Sequence, residues 1–256
     1  MIGIRKVLVT GGGTGIGRAV AEALLAQGGS VVVCGRRAAP LDEVAALAPG
    51  RVHALVCDTT HPEQRATLLS RARALLGGLD GLVLSAGMVA HELPGRLGEA
   101  SLRAQLEVNL VAPMRLLEQA VTAIDEGGAA VVVASTLAER PIATSAAYSA
   151  AKAGLLAAMR AYAISAAARR VRFNAVSPGV VDTDMVRTPR LAPGEVLDAA
   201  STSARVAAQL EALRGLHPLG RLGQPADVAE AVLHLLGATW TTGATLTVDG
   251  GILLRE

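Results

Sequence analysis

Residues 6–17 read KVLVTGGGTGIG: an apolar, β-branched run passes without a break into clustered glycines, and an Ala-rich segment of helical period follows. Few folds accept that order. A strand that feeds a helix through a turn too tight for a Cβ is the opening unit of a parallel sheet with crossover helices. The rest of the chain keeps the alternation. Short runs rich in Val, Leu and Ala predict strands at 6–10, 30–34, 52–57, 81–85, 129–134, 171–176 and 245–248. Longer periodic segments predict helices at 16–27, 39–47, 62–76, 101–124, 146–169 and 225–236.

The expectation is therefore an α/β chain: one Rossmann-like, doubly wound parallel sheet of about seven strands flanked by helices, spanning residues 1–256 as a single domain. Hydrophobic residues make up 51% of the chain but aromatics only 2%, so the core must be built from Ala, Val, Leu and Ile, which suits helices on buried parallel strands. One stretch interrupts the pattern. Residues 180–214 contain Pro189 and Pro193, carry no strand signal, and read as a long irregular insertion, the expected substrate lid.

Charge and composition narrow the function classes. A net charge of +2 arises from arginines scattered among acids, without a basic block or aromatic platform, which argues against nucleic acid as a partner. The N-terminal residues lack the pattern of a secretory leader, and the most apolar helical stretch, 153–168, is too short to span a bilayer and contains Arg160. A cytoplasmic protein with no membrane partner is expected. Cys34 and Cys57 end apolar runs without a CxxC partner, and the five histidines are dispersed, so neither a disulfide nor a metal is expected; the histidines read as surface or packing residues.

The glycine-rich turn, placed between a strand and a helix, points to a dinucleotide whose pyrophosphate meets backbone amides and a helix N-terminus. Gly11, Gly13, Thr14, Gly15, Ile16 and Gly17 are its candidate residues. The second strand ends in Gly35-Arg36-Arg37, where an NAD site would offer a carboxylate to the ribose; two guanidinium groups suit a 2′-phosphate instead. NADP(H) is the preferred expectation and NAD(H) the alternative. Asp58, after the third strand, is a candidate to accept from the adenine amino group, its duller reading being a turn aspartate; Ala86 and Gly87 would let the chain pass close to the cofactor.

Tyr148 and Lys152 lie four apart at the start of an Ala-rich helix and so share one face. Ser135 ends the fifth strand, and Asn109 lies in the long helix before it. In order and spacing, TGGGTGIG, SAG, Asn109, Ser135, YSAAK, Ser177-Pro178-Gly179 and the terminal GATLTVDGG resemble the short-chain dehydrogenase/reductase family over essentially the whole chain. One departure stands out: Ser85 replaces the family's usual Asn before Ala-Gly, which puts in doubt the hydrogen bonds that steady the central strand.

The resemblance implies an NAD(P)-dependent enzyme that interconverts a carbonyl and a secondary alcohol, with Asn109, Ser135, Tyr148 and Lys152 as the catalytic set. A free phenol has a pKa near 10, so Tyr148 is expected to need a neighbouring positive charge, from Lys152 and the nicotinamide, to act as acid and base near neutrality. By resemblance Lys152 also holds the nicotinamide ribose, Asn109 retains a proton-relay water, and Pro178, Gly179, Val181 and Thr183 approach the nicotinamide. Met88, Leu137, Ile142 and Val180, with Ser135 and Tyr148, are the implied substrate contacts. Their apolar character suggests a medium-sized, largely apolar ketone or alcohol, with Arg187 and Arg190 leaving room for an acidic group. The alternatives are an NAD-dependent alcohol or dihydrodiol dehydrogenase and a non-catalytic dinucleotide-binding regulator. Family resemblance further implies a homo-oligomer, tetramer or dimer.

Overall fold

Along β1 (Lys6–Thr10) the side chains alternate, Val7 and Val9 facing one layer and Leu8 the other, and all three are fully buried. A strand covered on both faces must sit inside a three-layer sandwich. The computed structural model, which describes residues 3–190 and 198–255, has that form. In chain order the elements are β1, α1 (Gly15–Ala26), β2 (Ser30–Gly35), α2 (Ala38–Ala46), β3 (Val52–Val56), α3 (Pro62–Ala66), α4 (Leu68–Leu76), β4 (Gly81–Leu84) and α5 (Glu99–Leu106). A π-helical turn (Glu107–Val111) leads into α6 (Ala112–Ala123), then β5 (Ala129–Val133), α7 (Ala146–Ala166), β6 (Arg172–Pro178), α8 (Asp184–Arg187), α9 (Ala199–Arg214), α10 (Pro225–Gly237) and β7 (Thr245–Val248).

All seven strands are parallel, in the order β3-β2-β1-β4-β5-β6-β7, with Leu8 opposite Val32 on one side and Leu82 on the other. The order reverses between β1 and β4, which opens a crevice at the carboxyl ends of the strands. One apolar layer joins α1, α2 and α10 to the sheet; the other joins α4, α6 and α7. Phe173, the only phenylalanine, is fully buried in the second layer, where truncation to Ala would cost about 3–5 kcal/mol. The apolar stretch of α6 also turns inward: Leu116, Leu117 and Ala120 are core residues.

The final crossover differs from the others. The connection from β4 to β5 moves outward along the sheet with α6 on one face; that from β6 to β7 moves the same way with α10 on the opposite face, against α1, so its hand is reversed. The long segment between β6 and α10 supplies the chain needed to cross the carboxyl edge.

Strand and helix positions follow the sequence expectation, with three corrections. The single helix expected at 62–76 is two, interrupted at Thr67, where Arg65 turns inward to donate to the Thr59 carbonyl (2.6 Å) and approach Glu107 (3.4 Å). The helix expected at 101–124 contains the π-helical turn at Asn109. Residues 180–214 are not irregular throughout: α8 and α9 lie within them, α9 being capped by Asp198, whose Oδ1 accepts from the Ser201 amide at 2.7 Å. Residues 191–197, including Pro193, lie outside the described residues. Both cysteines are free and buried, with the Cys34 Sγ 3.8 Å from the Cys57 carbonyl. Among the described residues no His, Cys, Asp and Glu cluster suits a metal, and no helix is long and apolar enough to cross a membrane.

Candidate active site

The glycine-rich turn is shaped by what it excludes. Gly11 and Gly15 have φ of 66° and 52°, the left-handed region. A Cβ at Gly17 would lie 2.3 Å from the Gly11 carbonyl oxygen, so only glycine lets α1 pack this closely on the end of β1. Thr14, at the N-cap of α1, makes no capping bond with its side chain, leaving first-turn amides for an anion. An open groove of about 320 Å³ lies here, lined by Gly15, Arg18, Thr183, Asp184 and Arg187 among others. A backbone cradle beside a helix N-terminus fits a dinucleotide pyrophosphate.

At the β2–β3 side of the crevice, Arg36 and Arg37 are exposed, and neither guanidinium has an ion pair among the described residues. Arg36 lies near enough to Asp58 to influence its ionisation. Burial pushes the Asp58 carboxyl up, but two hydrogen bonds from Thr60 and the charges of His61 and Arg36 together hold it below its ordinary value. Its Oδ1 accepts both the Thr60 amide (3.0 Å) and hydroxyl (2.8 Å), so Asp58 closes its own turn.

The catalytic candidates converge at the ends of β4 and β5. Tyr148 and Lys152 project from the first turns of α7 and are buried, with the Lys152 Nζ 5.7 Å from the Tyr148 ring centroid. Lys152 Nζ donates to the Val133 carbonyl at 2.8 Å. The Ser135 Oγ accepts the Leu137 amide at 3.1 Å, and the Ser135 side chain lies near enough to Tyr148 to influence its ionisation. Asn109 is fully buried: Nδ2 donates to the carbonyls of Met88 (2.8 Å) and Gln105 (2.9 Å), and Oδ1 accepts the Met88 amide (3.2 Å). Taking the Gln105 carbonyl from the helical ladder accompanies the π turn. Gly87 is bare for a local reason, since a Cβ there would stand 3.1 Å from the Asn109 Oδ1 and 3.7 Å from the Lys152 Nζ.

The departure at Ser85 is compensated. Thr10 Oγ1 accepts the Ala86 amide at 3.3 Å and Asn109 grips Met88, so the exit of β4 is steadied from β1 and from the π turn.

Burial pushes the Tyr148 phenol up to about 12, with the Ser135 hydroxyl working against it. Burial also brings the Lys152 ammonium down to about 8. A phenol held protonated is the form that can deliver a proton, whereas the reverse reaction needs added positive charge beside it.

Around this centre, Met88, Leu137 and Val180 are half-buried and Ile142 is 44% exposed, all on loops that follow the strands. Pro178 ends β6, Gly179 donates to the Val248 carbonyl at 3.0 Å, Val181 is buried, and Thr183 caps α8 beside Gly15, with its Cγ2 3.1 Å from where a Gly15 Cβ would stand. Arg187 and Arg190 part company. Arg187 pairs with both oxygens of Asp182 (2.7 and 2.8 Å), while the Arg190 side chain makes no hydrogen bond or ion pair among the described residues. Sequence reasoning passed over His91, half-buried near Thr144, and His217, fully enclosed; single histidines without spacing carry no signal in a sequence.

Residues 11–253 match the family model described as Enoyl-(Acyl carrier protein) reductase. The chain is 34% identical to Carbonyl reductase family member 4 of Danio rerio, covering 98% of each chain. It is 36% identical to cis-4-hydroxycyclohexanecarboxylate dehydrogenase of Sinomonas cyclohexanicum, covering 96% of each. A solved structure from Brucella melitensis, described as a short-chain dehydrogenase/reductase, glucose/ribitol dehydrogenase, superposes with a TM-score of 0.85 at 29% identity, over 97% of this chain and 96% of that one.

Proposed function

Because the chain belongs to the short-chain dehydrogenase/reductase family, we propose that it is an NADP(H)-preferring oxidoreductase that interconverts a carbonyl and a secondary alcohol by hydride transfer, with Tyr148 as acid and base. That it is a short-chain NAD(P)-dependent dehydrogenase/reductase follows from the family. The observation that carries the finer reading is the meeting of Tyr148, Ser135, Lys152 and Asn109 at the crevice where a glycine cradle and a helix N-terminus face the same side.

The chemistry a bound nicotinamide would supply is the hydride in reduction and its acceptor in oxidation. The chain's own residues do the rest. The protonated Tyr148 hydroxyl gives its proton to the carbonyl oxygen as negative charge builds there, while the Ser135 hydroxyl donates to the same oxygen. Lys152 would hold the nicotinamide ribose, and Asn109 keeps the π turn bound to the exit of β4. Gly11 to Gly17 would take the pyrophosphate, Arg36 and Arg37 the ribose 2′-phosphate, and Asp58 the adenine. Pro178, Gly179, Val181 and Thr183 would face the nicotinamide.

For the substrate, the half-buried apolar side chains of Met88, Leu137, Ile142 and Val180 support a medium-sized, largely apolar ketone or alcohol. One observation favours an acidic substituent on it. Arg187 is already neutralised by Asp182, but Arg190 is not, and after burial its charge is the next influence that lowers His91 to about 4. The name of the Sinomonas relative describes a ring alcohol that carries a carboxylate, which is the combination such a site would suit. We read residues 180–214 as the lid over this pocket, the whole chain as one catalytic domain, and the working form as a homo-oligomer. A dimer or tetramer would cover Leu246 on edge strand β7, which is 37% exposed, and Trp240, which is fully exposed.

The test is NADPH oxidation followed by absorbance with matched neutral ketones, ketoacids and aldoses. Turnover of ketones, with the ketoacid favoured and that preference lost in Arg190→Gln, is the expected result. Turnover confined to small, highly polar sugars would overturn the substrate reading.

A further inference from the structure

His217 belongs to none of the groups above, yet it is 4% exposed and makes two directed contacts. It follows α9. Its Nδ1 lies 3.0 Å from the Leu213 carbonyl, in the last turn of that helix, and its Nε2 lies 3.2 Å from the Val180 amide, just past β6. A carbonyl can only accept and an amide can only donate, so these partners select one tautomer: Nδ1–H donates to Leu213 and the Nε2 lone pair accepts from Val180. The ring is packed on the turn after β7, where a Cβ at Gly250 would stand 3.4 Å from the His217 Cδ2. Pro218 sits closer still to Gly251, 3.0 Å from the place of its absent Cβ.

Val180 is where the lid leaves the sheet. Its carbonyl accepts from Gly223 (3.0 Å), and Asp182 donates back to the Gly223 carbonyl (2.8 Å), so the exit of β6, which the reductase reading makes the pocket wall, is held by a short backbone bridge. The near end of the lid is pinned by the Asp182–Arg187 pair. His217 pins the far end to the same wall.

We infer that His217 is a positioning residue: its imidazole ties the far end of the lid to Val180 and so sets the spacing between the pocket wall and Tyr148. The contact stands by itself, and its consequence for turnover rests on the reductase reading. Removing the acceptor leaves a half-buried amide unmatched and lets the wall move, which should weaken substrate binding more than the chemical step.

The experiment compares His217→Leu with His217→Gln, whose side-chain carbonyl reaches roughly the place of Nε2. Carbonyl KM and kcat, NADPH affinity by fluorescence titration, and hydrogen exchange in the peptide covering residues 176–184 are measured for each. In His217→Leu the carbonyl KM rises about tenfold, kcat and NADPH affinity change by less than about threefold, and the peptide exchanges faster; His217→Gln recovers most of each loss. Equal impairment in both variants marks a packing role and overturns the inference, as does a Leu variant with wild-type KM and exchange. If wild-type protein reduces no carbonyl, the reductase reading fails, while exchange that is faster in the Leu variant alone still supports the tether, and unchanged exchange sinks it.

Discussion

At one end of the crevice Arg36 and Arg37 stand in solvent and Asp58 closes its own turn, while at the other Tyr148, Lys152 and Asn109 are buried. The two arginines are exposed and act by presenting charge to whatever enters the crevice. The second set is defined by desolvation, which moves the phenol up and the ammonium down. Substitutions at the exposed end should therefore exchange one ligand preference for another. Changes at the buried end should alter chemistry and stability together.

The hardest test of that contrast is Tyr148→Phe, which removes the proposed proton donor and keeps the ring. Turnover should fall by about 10²–10⁴-fold with NADPH binding retained, measured by steady-state absorbance and fluorescence titration. A variant with a tenth or more of wild-type activity would break the comparison at its centre. Next in size is Arg36→Asp, expected to raise the NADPH KM by about tenfold or more while that for NADH falls; a wild type that already prefers NADH would show the exposed pair to be solvated bystanders.

The pH profile sharpens the buried side. Lys152 is charged below about 8 and neutral above it, so kcat/KM for reduction should decline on the alkaline side from there. Oxidation should gain with rising pH, because it needs the phenolate of a group whose pKa lies near 12. A bell centred well below 8 would point to another group. The smallest effect is on stability. The folded-state pKa of Lys152 lies below its ordinary 10.5, so keeping it charged burdens the native state fully below about pH 8, and the burden disappears as pH rises towards 10.5. Lys152→Met should thus raise Tm by a few degrees at pH 7, with little gain above pH 10, even as turnover is lost; an unchanged Tm at pH 7 would mean that the bond to Val133 balances the desolvation.

How much of this was legible in the sequence varied with locality. β1 and β7 appear at the expected residues, and the glycine turn declared itself, because both depend on neighbouring residues alone. The break at Thr67 did not: 62–76 has unbroken helical period, and it is the inward reach of Arg65 to Thr59 and Glu107 that interrupts it. The π turn likewise depends on a side chain of the helix bonding a distant loop. α9 had a local signal in Asp198 followed by an Ala-rich stretch, but it buries little beyond Leu213, so the apolar periodicity that betrays other helices is faint there. The candidate catalytic residues stood out by type and order. Their electrostatics did not, since burial, which decides the direction for Tyr148, is a property of the assembled layers.

The reversed final crossover has a consequence for how the molecule is made. By placing α10 against α1, it leaves Val20 and Leu24 of α1 without their full cover until residues 225–237 have emerged from the ribosome. The glycine cradle at the head of α1 is thus an early-synthesised feature secured late, and a nascent chain stalled before Pro225 would expose an apolar flank of the kind that chaperones bind.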